Sequence, residues 1–92
     1  MTTNAVWIKI DPERPAQAIQ QEAVEKVNRA EGEVALDFSS VLRIDSRVVK
    51  ALEELAVLAD DKSVKVALCA VNVDVYKVLK LLNLTHRFSF LN

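Results

Sequence analysis

The sequence predicts an α/β domain in which about four mostly parallel strands form a sheet with helices packed on it. Two observations carry this prediction: short apolar runs alternate with segments of helical periodicity, and each connection is long enough for a crossover helix. The 92 residues suffice for one domain, 1–92, and not for two. Because only 5% of the residues are aromatic, the core is expected to consist of aliphatic side chains.

The first strand and the first helix are predicted from their apolar periodicity. The strand alternates between two faces, with Val6, Ile8 and Ile10 on one side and Trp7 and Lys9 on the other. Pro15 suits the first turn of a helix, and the helix is expected to continue to about Ala30. One of its faces collects the apolar residues Ala16, Ile19, Ala23, Val27 and Ala30. Gly32 is expected to end it in the left-handed conformation.

The rest of the chain continues the alternation of strands and helices. In order, the expected elements are a strand at Glu33–Phe38, a helix from Ser46 to about Asp60, a strand at Val64–Val71, a helix from Val73 to about Leu82 and an edge strand at Arg87–Leu91. Few polar residues interrupt the strand at Glu33–Phe38, which is typical of a central parallel strand buried on both faces. Residues 60–62 are expected to form a polar turn. Asn72 is a suitable N-cap, and Asn83 can take the left-handed conformation that ends a helix.

Charge and hydropathy exclude several classes of partner. Twelve basic and 13 acidic residues give a net charge of −1 without a basic stripe, which argues against nucleic acid. No segment approaches the 18 apolar residues of a membrane span, and the N-terminus has no signal-peptide pattern. We therefore expect a cytoplasmic protein without direct membrane insertion, whose oligomeric state the sequence does not predict.

The sequence offers few residues for catalysis or metal binding. His86 is the only histidine and Cys69 the only cysteine, so no zinc site is expected. A single glycine excludes the Gly-x-Ser-x-Gly elbow, the dinucleotide loop and the phosphate-binding P-loop. We accordingly predict no enzyme activity, no catalytic residue, no metal site and no cofactor.

The start of the second helix is a candidate site of phosphorylation. Asp45 and Ser46 follow a buried strand and a short loop and are expected at the N-terminus of the second helix. A hydroxyl at that point lies beside free backbone N–H groups and the positive end of the helix dipole, which suits phosphorylation of Ser46. The alternative is that Asp45 or Ser46 is only the N-cap, since both residue types are preferred there.

Two blocks of the sequence resemble the STAS domain family, the fold of bacterial anti-sigma factor antagonists. The signature of that family is an apolar strand ending in Asp, a short loop, and Asp-Ser-Ser-Gly-Leu opening a helix. Residues 35–49 are similar to it, with Asp37 ending the strand and Asp45-Ser46 opening the helix. Residues 70–84 are similar to the family's third helix and its exit, with Asn83-Leu84 where Gly-Leu is common. The resemblance covers about 33–90.

The resemblance implies a protein-binding module switched by phosphorylation. In the antagonists, a partner serine kinase that doubles as an anti-sigma factor phosphorylates the serine at the position of Ser46, and the phosphorylated antagonist releases the kinase. The implied contact surface is the loop Ser39–Ile44 with Asp45, Ser46, Arg47, Val49, Lys50 and Glu53. Val49 and Val57 fall outside the apolar arc of the second helix, as a contact surface requires. Arg47-Val48 stands where the family has Ser-Gly.

Two alternatives share the fold. The block at 70–84 also looks like the cytoplasmic STAS subunit of the bacterial phospholipid-trafficking ABC transporter, in which the same helix-opening surface docks on an ATPase and needs no kinase. A third possibility is a STAS adaptor without a phosphorylation switch.

Overall fold

The computed structural model describes residues 5–29 and 32–91. Within these ranges strands and helices alternate, and the bounds are β1 (Ala5–Lys9), α1 (15–29), β2 (Glu33–Asp37), α2 (Ser46–Lys62), β3 (Lys65–Cys69), α3 (Val73–Leu81) and β4 (Ser89–Leu91). A short 3₁₀ turn, Thr85–Arg87, precedes β4. The alternation therefore follows the order predicted from the sequence.

The four strands form one sheet in the order β1-β2-β3-β4, and every neighbouring pair is parallel. This confirms the α/β prediction. Right-handed crossovers between strands in sequential order place all the connecting helices on the same face of the sheet. The burial pattern agrees, because the inner residues of the helices join one cluster with alternate strand residues such as Ile8, Leu36 and Leu68.

The core lies between this sheet face and the three helices. Aliphatic side chains dominate it, as the scarcity of aromatic residues predicts, and Phe38 and Phe88 are its buried aromatic residues. The opposite sheet face has a separate small cluster of Ala35, Ala67 and Cys69. β2 is thus buried on both faces, which confirms the prediction of a central strand.

Helix α1 contains one wider turn. Pro15–Ala18 and Val24–Arg29 are α-helical, whereas Ile19–Ala23 is π-helical. A π-turn inserts one extra residue into an α-helix and so shifts its buried face. Ala18 is buried just before this turn, Ile19 and Ala23 are buried within it, and Val27 continues the buried stripe after it. The predicted terminal residue, Ala30, lies outside the described residues.

Helices α2 and α3 end in the same way, although the sequence suggested this only for α3. Ser63 follows α2 with φ 57° and Asn83 follows α3 with φ 60°, so both are left-handed. The residues after them, Val64 and Leu84, are buried, and their N–H groups donate back to Ala59 and Leu79 oxygens at 2.9 Å each. These bonds satisfy carbonyl groups that the helix ends would otherwise leave unpaired.

Three sequence predictions about element ends were wrong. Residues 60–62 belong to α2 and do not form a turn, because the helix stops only at the left-handed Ser63. Gly32 has no positive φ, so glycine supplies none of the described left-handed positions. β3 ends at Cys69 and not at Val71, because Ala70 has φ 56° and leaves the strand conformation.

Candidate functional site

The loop between β2 and α2 lies at the carboxyl edge of the sheet, and its first residues are fixed by hydrogen bonds. The Phe38 N–H donates to the Cys69 oxygen of the neighbouring strand at 2.9 Å. The Asp37 carboxylate accepts from the Ser39 N–H at 2.8 Å, and this bond holds the pKa of Asp37 below its usual value. Val41 is buried, and its N–H donates to the Phe38 oxygen at 2.9 Å. The loop is therefore anchored by its ends and by one buried side chain.

Asn72 ties the middle of this loop to helix α3. Its amide nitrogen donates to the Leu42 oxygen at 3.0 Å and lies 3.5 Å from the Val41 oxygen. Its amide oxygen accepts from the Val75 N–H at 2.8 Å and caps α3. The sequence predicted the cap but not the tether, because the partners lie 30 and 31 residues away along the chain.

Asp45 is the N-cap of α2, which decides between the two caps that the sequence left open. Its carboxylate accepts from the N–H groups of Arg47 and Val48, both at 3.0 Å. The bond from Val48 is the main reason that the pKa of Asp45 lies below its usual value, and the charge of Arg47 adds to it. Ser46 is consequently the first residue of the helix.

The side chain of Ser46 is exposed and makes no hydrogen bond with any of the described residues. Beside it, the Arg47 guanidinium lies 3.5 Å from the Asp45 carboxylate, and the two side chains are 84% and 57% exposed. A pair so open to water contributes little to stability. The arrangement therefore leaves a free hydroxyl next to an exposed cationic group.

The other predicted contact residues extend along α2. Lys50 and Glu53 are exposed, and so is Val57. Val49 differs from the expectation because it is half-buried and packs against the core. The helix contacts both α1 and β3, so residues beside its central apolar arc are also partly covered. Val49 can offer only part of its side chain to a partner.

Sequence reasoning missed an exposed apolar group beyond the Asn72 tether. Leu42 is 71%, Val73 67% and Tyr76 40% exposed. Val73 and Tyr76 also line a cavity of about 230 Å³, together with Val71, Asn72, Phe90 and Leu91. The signal was present in the sequence, because Val73 and Tyr76 fall outside the inner arc of α3. Their proximity to the loop depends on the tether.

The chemistry of the site favours binding or modification. In residues 5–29 and 32–91, no three His, Cys, Asp or Glu side chains cluster where they could hold a metal ion. Burial raises the pKa of the Cys69 thiol, and the charges of Asp37 and Glu33 raise it further, so this cysteine is not an activated nucleophile. No helix in the described part of the chain is long and apolar enough to cross a membrane.

The fold and the loop–helix site define a parallel α/β module with an exposed serine at the start of its second helix. The sequence model of the STAS domain matches residues 14–92, and the chain belongs to this family. No curated protein sequence matches the chain.

Two solved structures of the Thermotoga maritima protein TM1081 have the same fold. The crystal structure, described as that of a candidate anti-sigma factor antagonist, superimposes with a TM-score of 0.73 at 22% identity. That alignment covers 100% of this chain and 76% of the other. The NMR structure gives a TM-score of 0.76 at 20% identity, covering 98% and 75%. At this identity the likeness supports the fold alone.

Proposed function

We propose that this chain is a cytoplasmic protein-binding module of the anti-sigma factor antagonist type, without catalytic activity of its own. Its contact surface is the loop 39–44 together with Asp45, Ser46, Arg47, Lys50, Glu53 and the exposed part of Val49. The partner is an anti-sigma factor with serine kinase activity, and phosphorylation of Ser46 ends the complex.

The observation that carries this proposal is that Asp45, and not Ser46, caps helix α2. Because Asp45 caps the helix, the Ser46 hydroxyl is not needed for the fold and remains exposed to solvent. A phosphate at this point adds about −1.5 to −2 charges at pH 7. Such a charge weakens the binding of any partner surface that has packed on an uncharged hydroxyl.

The fold tolerates that charge for two reasons. The N-terminal end of a helix favours negative groups, and Arg47 is close enough to Asp45 to turn toward a phosphate on its neighbour. The N–H groups of Arg47 and Val48 are already occupied by the Asp45 carboxylate. The guanidinium of Arg47 is therefore the main group available to the phosphate.

The test compares Ser46→Asp with Ser46→Ala in pull-downs from the native host, followed by intact mass of the recovered protein. We expect Ser46→Asp to lower partner recovery about tenfold or more through charge repulsion at the contact, while Ser46→Ala retains the partner. Both variants should melt within about 2 °C of the wild type, because surface substitutions cost little. The wild-type protein should carry a phosphate where the kinase is active.

Ser63→Asp is the matched control, because Ser63 is exposed at the opposite end of the same helix and Asp tolerates its left-handed backbone. It should not change partner recovery. If the only recovered partner is an ABC ATPase and the protein carries no phosphate, the antagonist function is wrong and the transporter-subunit alternative replaces it. If the partner binds Ser46→Asp as well as wild type, the chain is an adaptor without a switch.

A further inference from the structure

The second half of the loop 39–44 depends on another part of the chain for its hydrogen bonds. The first half is held by bonds from the N–H groups of Ser39 and Val41. Among the residues that the structure describes, the polar contacts to the loop backbone between Val41 and the cap of α2 come from the Asn72 amide nitrogen, 3.5 Å from the Val41 oxygen and 3.0 Å from the Leu42 oxygen. Because an unrestrained backbone samples many conformations, Asn72 restricts this half of the loop.

The side chain of Asn72 does more than a helix cap requires. Asn, Asp and Ser cap helices about equally well, because each offers an oxygen to the N–H groups of the first turn. Asn72 uses its oxygen in this way, for the Val75 N–H at 2.8 Å. An aspartate has no donor and a serine hydroxyl is one bond shorter, so of the three only the amide caps α3 and reaches the loop together. The residue type therefore indicates a role beyond α3 itself.

The restrained half of the loop carries exposed side chains directly ahead of Ser46. Leu42 is 71% exposed and Arg43 is also exposed. Ile44 is half-buried and packs against the core. The bond from Asn72 to the Leu42 oxygen and the packing of Ile44 thus fix the backbone on both sides of Arg43. This stretch is ordered before any partner binds it.

We propose that Asn72 is a positioning residue of the contact surface, whose amide donor holds the loop 39–44 in the conformation that the partner binds. The inference rests on the proposed function for the location of the surface, but it does not depend on which protein the partner is. A loop that is ordered in advance loses less conformational entropy when a partner immobilises it. Loss of the donor therefore weakens binding even where the fold and Ser46 are unchanged.

Two variants of Asn72 remove the donor and keep the cap. Asn72→Ser leaves the charge unchanged, and its hydroxyl can accept from the Val75 N–H but is too short to reach the Leu42 oxygen. Asn72→Asp also lacks the donor, and its carboxylate repels the Leu42 oxygen. Asn83→Asp is the matched control for the second variant. It makes the same chemical change at an exposed position beyond the other end of α3, where Asp tolerates the left-handed backbone.

Amide hydrogen exchange of the full chain tests the restraint without any partner. The measured quantity is the exchange rate of the Val41 N–H relative to that of the Val64 N–H, which lies beyond the far end of α2 and reports on the rest of the fold. This ratio should rise about tenfold in both Asn72 variants, because the loop opens more often. Asn83→Asp should leave the ratio unchanged. An equal ratio in Asn72→Ser and wild type overturns the inference.

Calorimetric titration with the purified partner that the wild-type chain recovers tests the consequence for binding. At a temperature where thermal unfolding shows every variant to be folded, Asn72→Ser should bind about three- to tenfold more weakly than the wild type. Asn83→Asp should bind as tightly as the wild type. A merely structural role of Asn72 would lower the melting temperature and leave this affinity unchanged, and that result overturns the inference.

The proposed function fails by a different result. A partner that is an ABC ATPase, or one that binds Ser46→Asp as tightly as wild type, contradicts the phosphorylation switch. The comparison of Asn72→Ser with wild type is then made with that same partner, so the two failures are distinguishable.

Discussion

Helices α2 and α3 begin at the same edge of the sheet with similar chemistry and different surroundings. Asp45 caps one and Asn72 caps the other, and both accept from N–H groups two or three residues ahead. Asn72 is half-buried and also donates to the Leu42 oxygen. Asp45 is exposed. Its ion-pair partner Arg47, two residues further along the chain, is even more exposed.

The comparison shows that two helix starts with similar caps differ in how much of their polar surface a partner protein can reach. At α3 the cap side chain uses both ends of its amide inside the protein, so little remains for a partner. At α2 the cap uses a carboxylate that stays in water, and the next residue, Ser46, has a free hydroxyl. The same capping motif therefore ties α3 to the loop 39–44, whereas at α2 it leaves an accessible hydroxyl. Three substitution experiments measure this difference, one at the start of α3 and two at the start of α2.

The largest effect on the free energy of unfolding is expected at Asn72, which ties α3 to the loop 39–44. Asn72→Ala removes both the cap of α3 and the tether to the loop, and the loss of a cap alone costs about 1 kcal/mol, up to about 2. Asn72→Asp keeps the acceptor for the Val75 N–H but loses the donor to the Leu42 oxygen, so its free energy of unfolding should lie between those of wild type and Asn72→Ala. Urea denaturation measures all three. Equal stability of Asn72→Ala and wild type would show that the hydrogen bonds of Asn72 do not stabilise the fold.

A smaller, pH-dependent effect is expected at Asp45. Its pKa in the folded protein lies below the usual value of 3.8, chiefly because of the Val48 N–H. The group therefore stabilises the fold above pH 3.8, and this contribution is lost as the pH falls through the lower folded pKa. Asp45→Asn retains a cap acceptor without the charge.

The melting temperature between pH 2 and 5 is the measurement for this prediction. Asp45→Asn should show a shallower acid-induced fall than the wild type. Asp37→Asn is a second, independent test, because the Ser39 N–H lowers the pKa of Asp37 in the same direction. It too should show a shallower fall of the melting temperature at acid pH. If Asp45→Asn loses melting temperature at acid pH as steeply as the wild type, the pKa of Asp45 is not lower in the folded chain than in the unfolded chain.

The smallest effect on stability is expected from Arg47→Ala, because the pair with Asp45 is screened by water. Its melting temperature should equal that of the wild type within error. The effect should appear instead on a phosphate. With phosphoserine incorporated at position 46, the phosphate second pKa of about 6 should be lower when Arg47 is present than after Arg47→Ala. Phosphorus NMR titration measures the difference, and equal values would show that Arg47 does not contact the phosphate.

Much of the fold was predictable because it depends on local periodicity. The alternation of strands and helices, the central position of β2, the Asn72 cap and the left-handed Asn83 all follow from short sequence patterns. Element ends were less predictable, since Ser63 and Ala70 are left-handed without being Gly or Asn. Their backbone is held by hydrogen bonds from the folded chain, such as that from Ala70 N–H to the Leu91 oxygen at 3.0 Å.

The candidate site divides in the same way. Asp45, Ser46 and Arg47 are neighbours in the chain, so the sequence located them, although it left the cap undecided between Asp45 and Ser46. Val49 was placed too far toward solvent, because helical angles alone do not show what packs beside the helix. Leu42 and Val73 were not associated at all, because Asn72 brings them together across some 30 residues.

The sequence by itself determined the parallel α/β architecture, the family signature and the position of the exposed serine. These depend on patterns that repeat every two to four residues or on adjacent residues. Tertiary structure alone decided which side chain caps α2, which residues join the loop to α3, and which strand residues lie side by side in the sheet. These depend on contacts between residues far apart in the chain, which strand register and burial fix only when the whole sheet has formed.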